Sequence, residues 1–259
     1  MARFKEWETE KNGPGLFFVL IALVVVAVLG ARYLGFYPSD GDDIISTQTE
    51  PPVVTEISEP VGPVVAVYHT HTCQNYAPKT SFSKGQPGDI VDVGTAFMDA
   101  LEVRGIAAVH SKSVHDYPVF RAAYENAAAT VAATVGANSS LQMVFDIHRD
   151  GLPASAKPER VTTSINGQEV ARILLVVGKD NPAYAQNLAF AKELQARMEE
   201  MYPGLCRGVI TKEGTYNQGQ HPQSVAVYIG SYPQNTVDQA KRSAKLFAEV
   251  VATMVQEPI

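Results

Sequence analysis

The strongest constraint on the fold of this chain is an uncharged stretch close to its N-terminus. Residues 12–31 carry no charged side chain, and from Leu16 onward the sequence reads LFFVLIALVVVAVLGA. About 20 residues of α-helix are enough to cross the hydrocarbon core of a bilayer. Because the stretch is apolar on every face, it is not typical of a core helix in a water-soluble domain. We predict a transmembrane anchor at residues 12–33.

The basic residues that flank this stretch predict its orientation. Arg3, Lys5 and Lys11 precede the stretch, and only Arg32 follows it closely. The positive-inside rule therefore makes residues 1–11 a cytoplasmic tail and places the rest of the chain on the extracytoplasmic side. A cleaved signal peptide is the alternative. It is disfavoured because the tail mixes three acidic with three basic residues and no clear cleavage site follows the stretch.

Charge is unevenly distributed between the two parts that follow the predicted anchor. Residues 37–63 hold six acidic residues, five prolines and no basic residue, which predicts an extended acidic linker at 34–63. Residues 64–259 are nearly neutral, with 17 basic and 18 acidic side chains. A nucleic-acid-binding protein needs a basic surface, so this function is not expected.

Strand-like and helix-like segments alternate along residues 64–259, which we interpret as one extracytoplasmic domain. Strands are predicted at 64–69, 106–110, 141–148 and 224–230, a hairpin at 161–178 that turns at Asn166-Gly167, and helices at 89–104, 118–135, 182–201 and 237–255. This alternation is typical of an α/β fold with a central, mostly parallel sheet flanked by helices.

Several predicted strands end in residues that can take part in chemistry. His69 and His71 follow the first strand, His148 ends a later one, and Tyr228 lies near the end of the last one. Ligands of such sheets bind at the carboxyl ends of the strands. Two imidazoles at this edge suit a zinc site, although a histidine at a strand end is more often structural.

The motifs of this domain resemble the stage II sporulation protein P family of peptidoglycan hydrolases. The resemblance rests on segments spread over nearly all of residues 64–259: VYHTHTCQNY, FDIHRD, VVGKDNPAYAQNLAFAKEL, MYPGLCRGV, YNQ and IGSYPQNT. It implies a zinc-dependent N-acetylmuramoyl-L-alanine amidase, which cuts the amide bond between glycan and stem peptide. It also implies a lytic transglycosylase partner, and zinc ligands at His69 and His148.

Two positions depart from the family pattern. The third metal ligand of the family is a Glu, and this position is Gln74 here; the catalytic Glu of the family falls on Tyr228. An amide oxygen is a poorer ligand for zinc than a carboxylate. A phenol with an ordinary pKa near 10 is a poor base at neutral pH, and acid–base catalysis contributes about 10²–10⁴ in rate. Cys73 as a substitute ligand and Glu213 as a substitute acid remain alternatives.

Other residues of the motifs are candidates for a substrate groove. These are His71, Arg149, Tyr76, Tyr216 and Asn217. Arg149 is expected to pair with a carboxylate of the protein or of a stem peptide. The two cysteines, Cys73 and Cys206, leave open whether they form a disulfide.

Three functions are consistent with these patterns. The first is an active, membrane-anchored amidase that acts on peptidoglycan. The second is a degenerate amidase that binds peptidoglycan or a sporulation partner without cutting. The third is a tethered spacer, which the histidines at the strand ends disfavour.

Overall fold

The computed structural model describes residue 62 and residues 64–256. The predicted tail, the anchor and nearly all of the linker lie outside these residues, and so do the last three residues of the chain. Within the described part, no helix is both long and apolar enough to cross a membrane.

Eight strands occur in the described residues. In chain order they are β1 (Val65–Tyr68), β2 (Ala108–His110), β3 (Met143–Gly151), β4 (Thr162–Ile165), β5 (Gln168–Ala171), β6 (Ile173–Gly178), β7 (Cys206–Lys212) and β8 (Ser224–Tyr232). Six of them form one sheet in the order β2-β1-β3-β8-β6-β7, and β4 pairs with β5 in a separate hairpin. All neighbours in the large sheet are parallel except β6 and β8. The predicted mixed α/β fold with a mostly parallel sheet is therefore confirmed.

Four α-helices are distributed unequally over the two faces of this sheet. They are α1 (Asp89–Glu102), α2 (Ala123–Ala137), α3 (Tyr184–Met201) and α4 (Val237–Gln256). Side chains of α1, α3 and α4 share one hydrophobic cluster with odd-numbered residues of the central strands, such as Val67, Phe145 and Val227. The smaller cluster on the other face joins α2 to even-numbered residues, among them Tyr68 and Val144. We call the first face the covered face and the second the open face.

The turn of the hairpin was predicted correctly, but the hairpin is shorter than the predicted 161–178, because β5 ends at Ala171 and β6 begins at Ile173 and pairs with β8 in the large sheet. One further strand was not predicted. Asn166 and Gly167 have φ angles of 52° and 74°, as a type I′ turn requires. The missed strand is β7, whose sequence CRGVITK has a glycine with a φ of 118° and three basic or polar residues at its ends. Its pairing with β6 is irregular near Ile173, so no clean alternation marks it in the sequence.

The register between β1 and β3 decides where the histidines point. Tyr68 lies opposite Asp146 in this parallel pair, so the next residue, His69, is level with Ile147. Side chains along a strand alternate between the two faces. His148 therefore shares the open face with Asp146, whereas His69 follows Val67 toward the covered face.

Candidate functional site

His69 is held on the covered face by two contacts that use both of its ring nitrogens. Its Nδ1 lies 2.8 Å from the carbonyl oxygen of Ile147, and its Nε2 lies 2.8 Å from Nε2 of His110. Since a carbonyl only accepts, Nδ1 of His69 carries the proton, and Nε2 accepts a hydrogen bond from His110. Burial first, and then the neighbouring His110, lower the pKa of His69 to about 3. His69 is thus neutral at pH 7.

A glycine of α1 makes room for this pair of imidazoles. A Cβ atom on Gly94 would lie 2.7 Å from Nε2 of His69 and 2.8 Å from Nε2 of His110. Any larger residue at this position would therefore push the two rings apart.

On the open face, His148 lies beside a buried carboxylate. Its Nε2 is 2.8 Å from Oδ2 of Asp146, and both side chains are almost fully buried. Asp146 also accepts hydrogen bonds from the backbone N–H and the hydroxyl of Thr70. Burial alone would raise the pKa of Asp146, but His148 and Thr70 outweigh it, and the pKa is lowered. Asp146 is therefore ionised and positions the His148 ring.

An aromatic cluster surrounds His148 on this face. His148 stacks on Tyr228 with ring centroids 4.9 Å apart, as their register on β3 and β8 allows. His71 meets His148 edge-on at 5.5 Å and stacks on Phe120 at 4.4 Å. Tyr124 completes the cluster at 6.5 Å from His148. The structure thus brings His71, and not His69, next to His148.

Beside this cluster, Gln74 and Arg149 form hydrogen bonds that join the loop after β1 to β3. The backbone N–H of Arg149 donates to Oε1 of Gln74 at 3.0 Å. The Arg149 guanidinium donates to the carbonyls of Asn75, Ser81 and Asp150. The expected partner of Arg149 in the protein, a carboxylate, is therefore replaced by three carbonyl oxygens, which hold the loop after β1 against β3.

The donor set at the predicted metal position does not fit a catalytic zinc ion. Such an ion needs three protein ligands and one open position. Both nitrogens of His69 are engaged on the covered face, and the amide oxygen of Gln74 accepts from Arg149. Of the three predicted ligands only His148 keeps a ring nitrogen free, because its Nε2 contacts Asp146 and only its Nδ1 has no hydrogen-bond partner among the described residues. Within residues 64–256, no three His, Cys, Asp or Glu side chains are grouped to hold a metal ion.

The two alternatives for the missing carboxylates find no support in the contacts. Burial, and then Asp116, raise the pKa of Cys73 to about 12, so this residue is a thiol and not a thiolate at neutral pH. Glu213 is exposed and pairs with Lys179 at 2.9 Å. Cys73 and Cys206 are both buried and free, without a disulfide.

Tyr228, at the position where the resemblance predicted a catalytic Glu, is a largely buried phenol. Burial, and then Asp146, raise the pKa of Tyr228 above its ordinary value. The phenol is therefore protonated at neutral pH and can donate a hydrogen bond, but it does not act as a base.

The three remaining candidates for a substrate groove, Tyr76, Tyr216 and Asn217, do not lie together in the structure. Tyr76 is fully buried, and its hydroxyl donates to the carbonyl of Ile229 at 2.6 Å; it is a core residue and does not line a groove. Tyr216 contacts Tyr124 edge-on at 5.1 Å. Asn217 donates from Nδ2 to the carbonyl of Tyr124 at 2.8 Å, which fixes the loop before β8 against α2.

A cleft of about 610 Å³ opens next to the aromatic cluster. Its lining combines aromatic, cationic and amide side chains: Gln74, Phe82, Lys84, Tyr117, Phe120 and Arg149. Tyr117 and Phe120 are about half exposed, at 49% and 52%. Exposed aromatic rings beside a cation suit a ligand that has both apolar faces and carboxylates.

Sequence reasoning missed three residues of the site, Asp116, Phe120 and Tyr124. Asp116 lies 3.7 Å from Nδ1 of His71 and accepts from the backbone N–H of Cys73. All three belong to the segment that leads into α2 and its first turn. The only signal for Asp116 and Phe120 was the aromatic and acidic run HDYPVF, and Tyr124 lies in the alanine-rich helix that follows it.

Fold and site together define an α/β domain in which an aromatic cluster around His148 lies beside a cleft at the carboxyl edge of the sheet. Residues 38–252 match the family described as Stage II sporulation protein P (SpoIIP). The chain belongs to this family.

One relative within the family is the stage II sporulation protein P of Bacillus subtilis (strain 168). It is 29% identical over 226 residues, which cover 81% of this chain and 54% of the relative. The chain therefore spans about half the length of the curated relative that it matches.

Solved amidase structures are also similar to this chain. One is the N-acetylmuramoyl-L-alanine amidase AmiC2 of Nostoc punctiforme, with 14% identity, a TM-score of 0.44, and coverage of 76% of this chain and 99% of that chain. Another is the catalytic domain of CwlV, an N-acetylmuramoyl-L-alanine amidase from Bacillus (Paenibacillus) polymyxa var. colistinus. Its identity is 12%, its TM-score 0.46, and the match covers 75% of this chain and 98% of that chain.

Proposed function

We propose that this chain is a member of its family that binds peptidoglycan in sporulating cells without cutting it. The observation that carries the proposal is the engagement of His69, whose two ring nitrogens bond Ile147 and His110 on the face opposite His148. An amidase mechanism needs a metal-bound water and a base. Neither a complete ligand set nor a carboxylate at position 228 stands at this edge of the sheet.

The binding surface that we assign to this function is the cleft beside the aromatic cluster. Phe120 and Tyr117 offer exposed rings to a sugar face or a peptide side chain, and Lys84 offers a cation to a stem-peptide carboxylate. A cleft of about 610 Å³ is within the size range of small-ligand sites. Peptidoglycan supplies sugars and acidic stem peptides together.

The anchor at residues 12–33, the extracytoplasmic location and a lytic transglycosylase partner complete the proposal. The apolar stretch supports the anchor, the basic residues that flank it support the extracytoplasmic location, and the family resemblance supports the partner. In this arrangement the domain would hold cell wall near the membrane while a partner enzyme cuts it.

The test combines retention and digestion in one experiment. The full-length chain, purified in detergent, is mixed with purified sacculi and zinc, and both the pelleted protein and the released fragments are measured, the fragments by mass spectrometry. We expect the protein to pellet with the sacculi and no stem peptides to be released. Release that disappears in His148→Ala would overturn the proposal and establish an amidase with an altered site.

A matched pair of variants locates the binding surface. Phe120→Ala removes a half-exposed ring from the cleft, and Val103→Ala shortens a side chain that is 84% exposed just after α1. Loss of a stacking ring is worth about 1 kcal/mol, or several-fold in affinity. We expect weaker sacculus retention for Phe120→Ala only, and equal retention of both variants would exclude this cleft as the binding surface.

A further inference from the structure

A second cavity, of about 440 Å³, lies among strands of the large sheet and is lined by three arginines. We call it the arginine pocket and define it by Arg160, Arg172 and Arg207 together with Asp150 and Leu174. None of these residues was singled out as a site residue by the family resemblance. Their side chains place three positive charges against one negative charge in a small volume.

Two of the three guanidinium groups of the pocket, those of Arg172 and Arg207, are held in place by the protein. Arg172 donates from Nε to the carbonyl of Gly204 at 2.9 Å and from Nη2 to that of Cys206 at 3.2 Å. Arg207 pairs with Asp150 through Nη2. Arg160 is exposed at the mouth of the cavity. Holding the groups in place in advance lowers the entropy cost of binding an anion.

One polar atom of the pocket has no partner among the described residues. The Nε–H group of Arg207 is buried and donates to no oxygen within residues 64–256, while the whole side chain is only 12% exposed. A buried guanidinium N–H without an acceptor is costly. An oxygen of a bound anion would satisfy it.

The pocket is close to the aromatic cluster on the same face of the sheet. Leu174 lies opposite Tyr228 in the β6–β8 pair, and neighbouring strands are about 4.8 Å apart. Asp150 follows His148 on β3 after one intervening residue. An extended peptide advances about 3.3 Å per residue, so a peptide lying beside Tyr228 reaches the pocket within about two residues.

We propose that the arginine pocket binds a free carboxylate of a peptide ligand, and, resting on the function proposed above, that this ligand is a stem peptide. Arginine binds carboxylates through two parallel N–H···O bonds, and such charge-assisted bonds are the strongest hydrogen bonds in proteins. Because Asp150 neutralises only one of the three arginines, the pocket keeps a net positive charge, which favours the binding of a small acidic group. The pocket would thus read the charge of the stem peptide while the cleft holds its apolar part.

The test compares one peptide in two charge states. The probe is N-acetylmuramoyl-L-alanyl-D-glutamate with free carboxylates, and its partner is the same compound with those carboxylates amidated. Binding of each to the full-length chain in detergent is measured by calorimetry. We expect the free acid to bind about 10-fold more tightly, because charge-assisted hydrogen bonds are lost in the amide.

Three variants assign this preference to the pocket. Arg160→Gln removes an exposed charge and leaves the interior of the pocket intact. Arg207→Lys keeps the positive charge opposite Asp150 but removes the two parallel N–H donors of the guanidinium group. Both are expected to lose most of the 10-fold preference. Arg197→Gln is the matched control, because Arg197 pairs with Glu200 on α3, which packs on the covered face, and it is expected to keep the preference.

The outcomes separate this proposal from the function proposed above. Equal binding of acid and amide by the native chain, or an unchanged preference in Arg160→Gln and Arg207→Lys, would overturn the pocket even if sacculi are still retained. Failure to retain sacculi and to bind either compound would overturn both proposals. Preference lost in the two pocket variants and kept in Arg197→Gln would support the carboxylate site.

Discussion

On the covered face of the sheet, His69 bonds a carbonyl and a second histidine, and Gly94 of α1 leaves just enough space for the pair. On the open face, Nε2 of His148 contacts the Asp146 carboxylate, the ring packs against several aromatic rings, and only Nδ1 has no hydrogen-bond partner among the described residues. The first histidine uses both ring nitrogens within the protein, whereas the second is buried with one ring nitrogen, Nδ1, left without a partner among the described residues. The difference teaches that adjacent strand ends do not make a joint site when their side chains point to opposite faces.

The largest loss of stability caused by one substitution is expected at the carboxylate that contacts His148. Asp146→Asn removes a buried charge that accepts two hydrogen bonds from Thr70 and contacts His148. We expect a loss of about 2–3 kcal/mol in the free energy of unfolding at pH 7, since hydrogen bonds to buried charges contribute about this much. Chemical denaturation measures it, with the exposed Asp99→Asn as a control of equal charge change.

The pH dependence of this variant sharpens the first prediction. Because the pKa of Asp146 is lowered in the folded chain, its contribution is present above its unfolded pKa of about 3.9 and is lost as the pH falls through the lower folded value. The difference between native chain and Asp146→Asn should therefore shrink below pH 4. A difference that stays constant down to pH 2 would show that the charge is not responsible.

A smaller loss is expected when the covered face is overfilled. Gly94→Ala brings a methyl group to within 3 Å of both His69 and His110. Overpacking of this kind costs about 1–3 kcal/mol. Gly136→Ala in α2 is the control, because a Cβ there meets nothing within 4 Å, and alanine favours a helix over glycine by about 0.5–1 kcal/mol. If both variants were equally stable, the close packing around His69 would be refuted.

A separate effect is expected in the pH dependence of stability, where each of the two buried rings on the covered face contributes a slope and not a fixed loss. Burial first, and then Lys112, lower the pKa of His110 to about 4, and the pKa of His69 is lowered to about 3. Unfolded histidine binds its proton near pH 6.5, so the unfolded state takes up more protons as the pH falls below this value. The free energy of unfolding should thus decrease from pH 6.5 toward pH 4. Each of the two histidines contributes less than about 1.4 kcal/mol to this decrease for every pH unit.

His110→Gln provides the comparison for this slope. It removes one of the two titrating rings and keeps a side chain that can donate to His69. We expect a shallower decrease between pH 6.5 and pH 4, as measured by denaturation at several pH values. A slope identical to that of the native chain would mean that His110 does not titrate with folding.

The order of strands and helices followed from the sequence because valine-rich runs and alanine-rich or amphipathic runs alternate so clearly. Strand β7 was not predicted because Gly208 and the irregular pairing with β6 interrupt the alternation of apolar and polar side chains along it. The histidine motif marked the correct edge of the sheet, but not the face of each ring. That depends on the register of Tyr68 with Asp146, a long-range pairing that no local pattern specifies.

Burial explains the other differences between the predicted and the observed site. Tyr76 and Arg149 stand in motifs with polar neighbours, which favours a groove, yet their polar atoms bond carbonyls of distant segments. Phe120 and Tyr124 enter the site from a segment about 50 residues after the histidine motif, and only the folded chain brings them to His148. Side chains that meet through tertiary packing leave little trace in spacing.

The most direct test of the split between the two histidines is the zinc content of the full-length chain. Equilibrium dialysis in detergent at micromolar zinc would be carried out on the native chain, His69→Ala and His148→Ala, with circular dichroism to verify folding. We predict that the native chain holds no zinc ion that depends on both residues, since their rings lie on opposite faces of the sheet. One zinc per native chain, lost in each of the two folded variants, would show that the histidines share a metal site and would contradict this account.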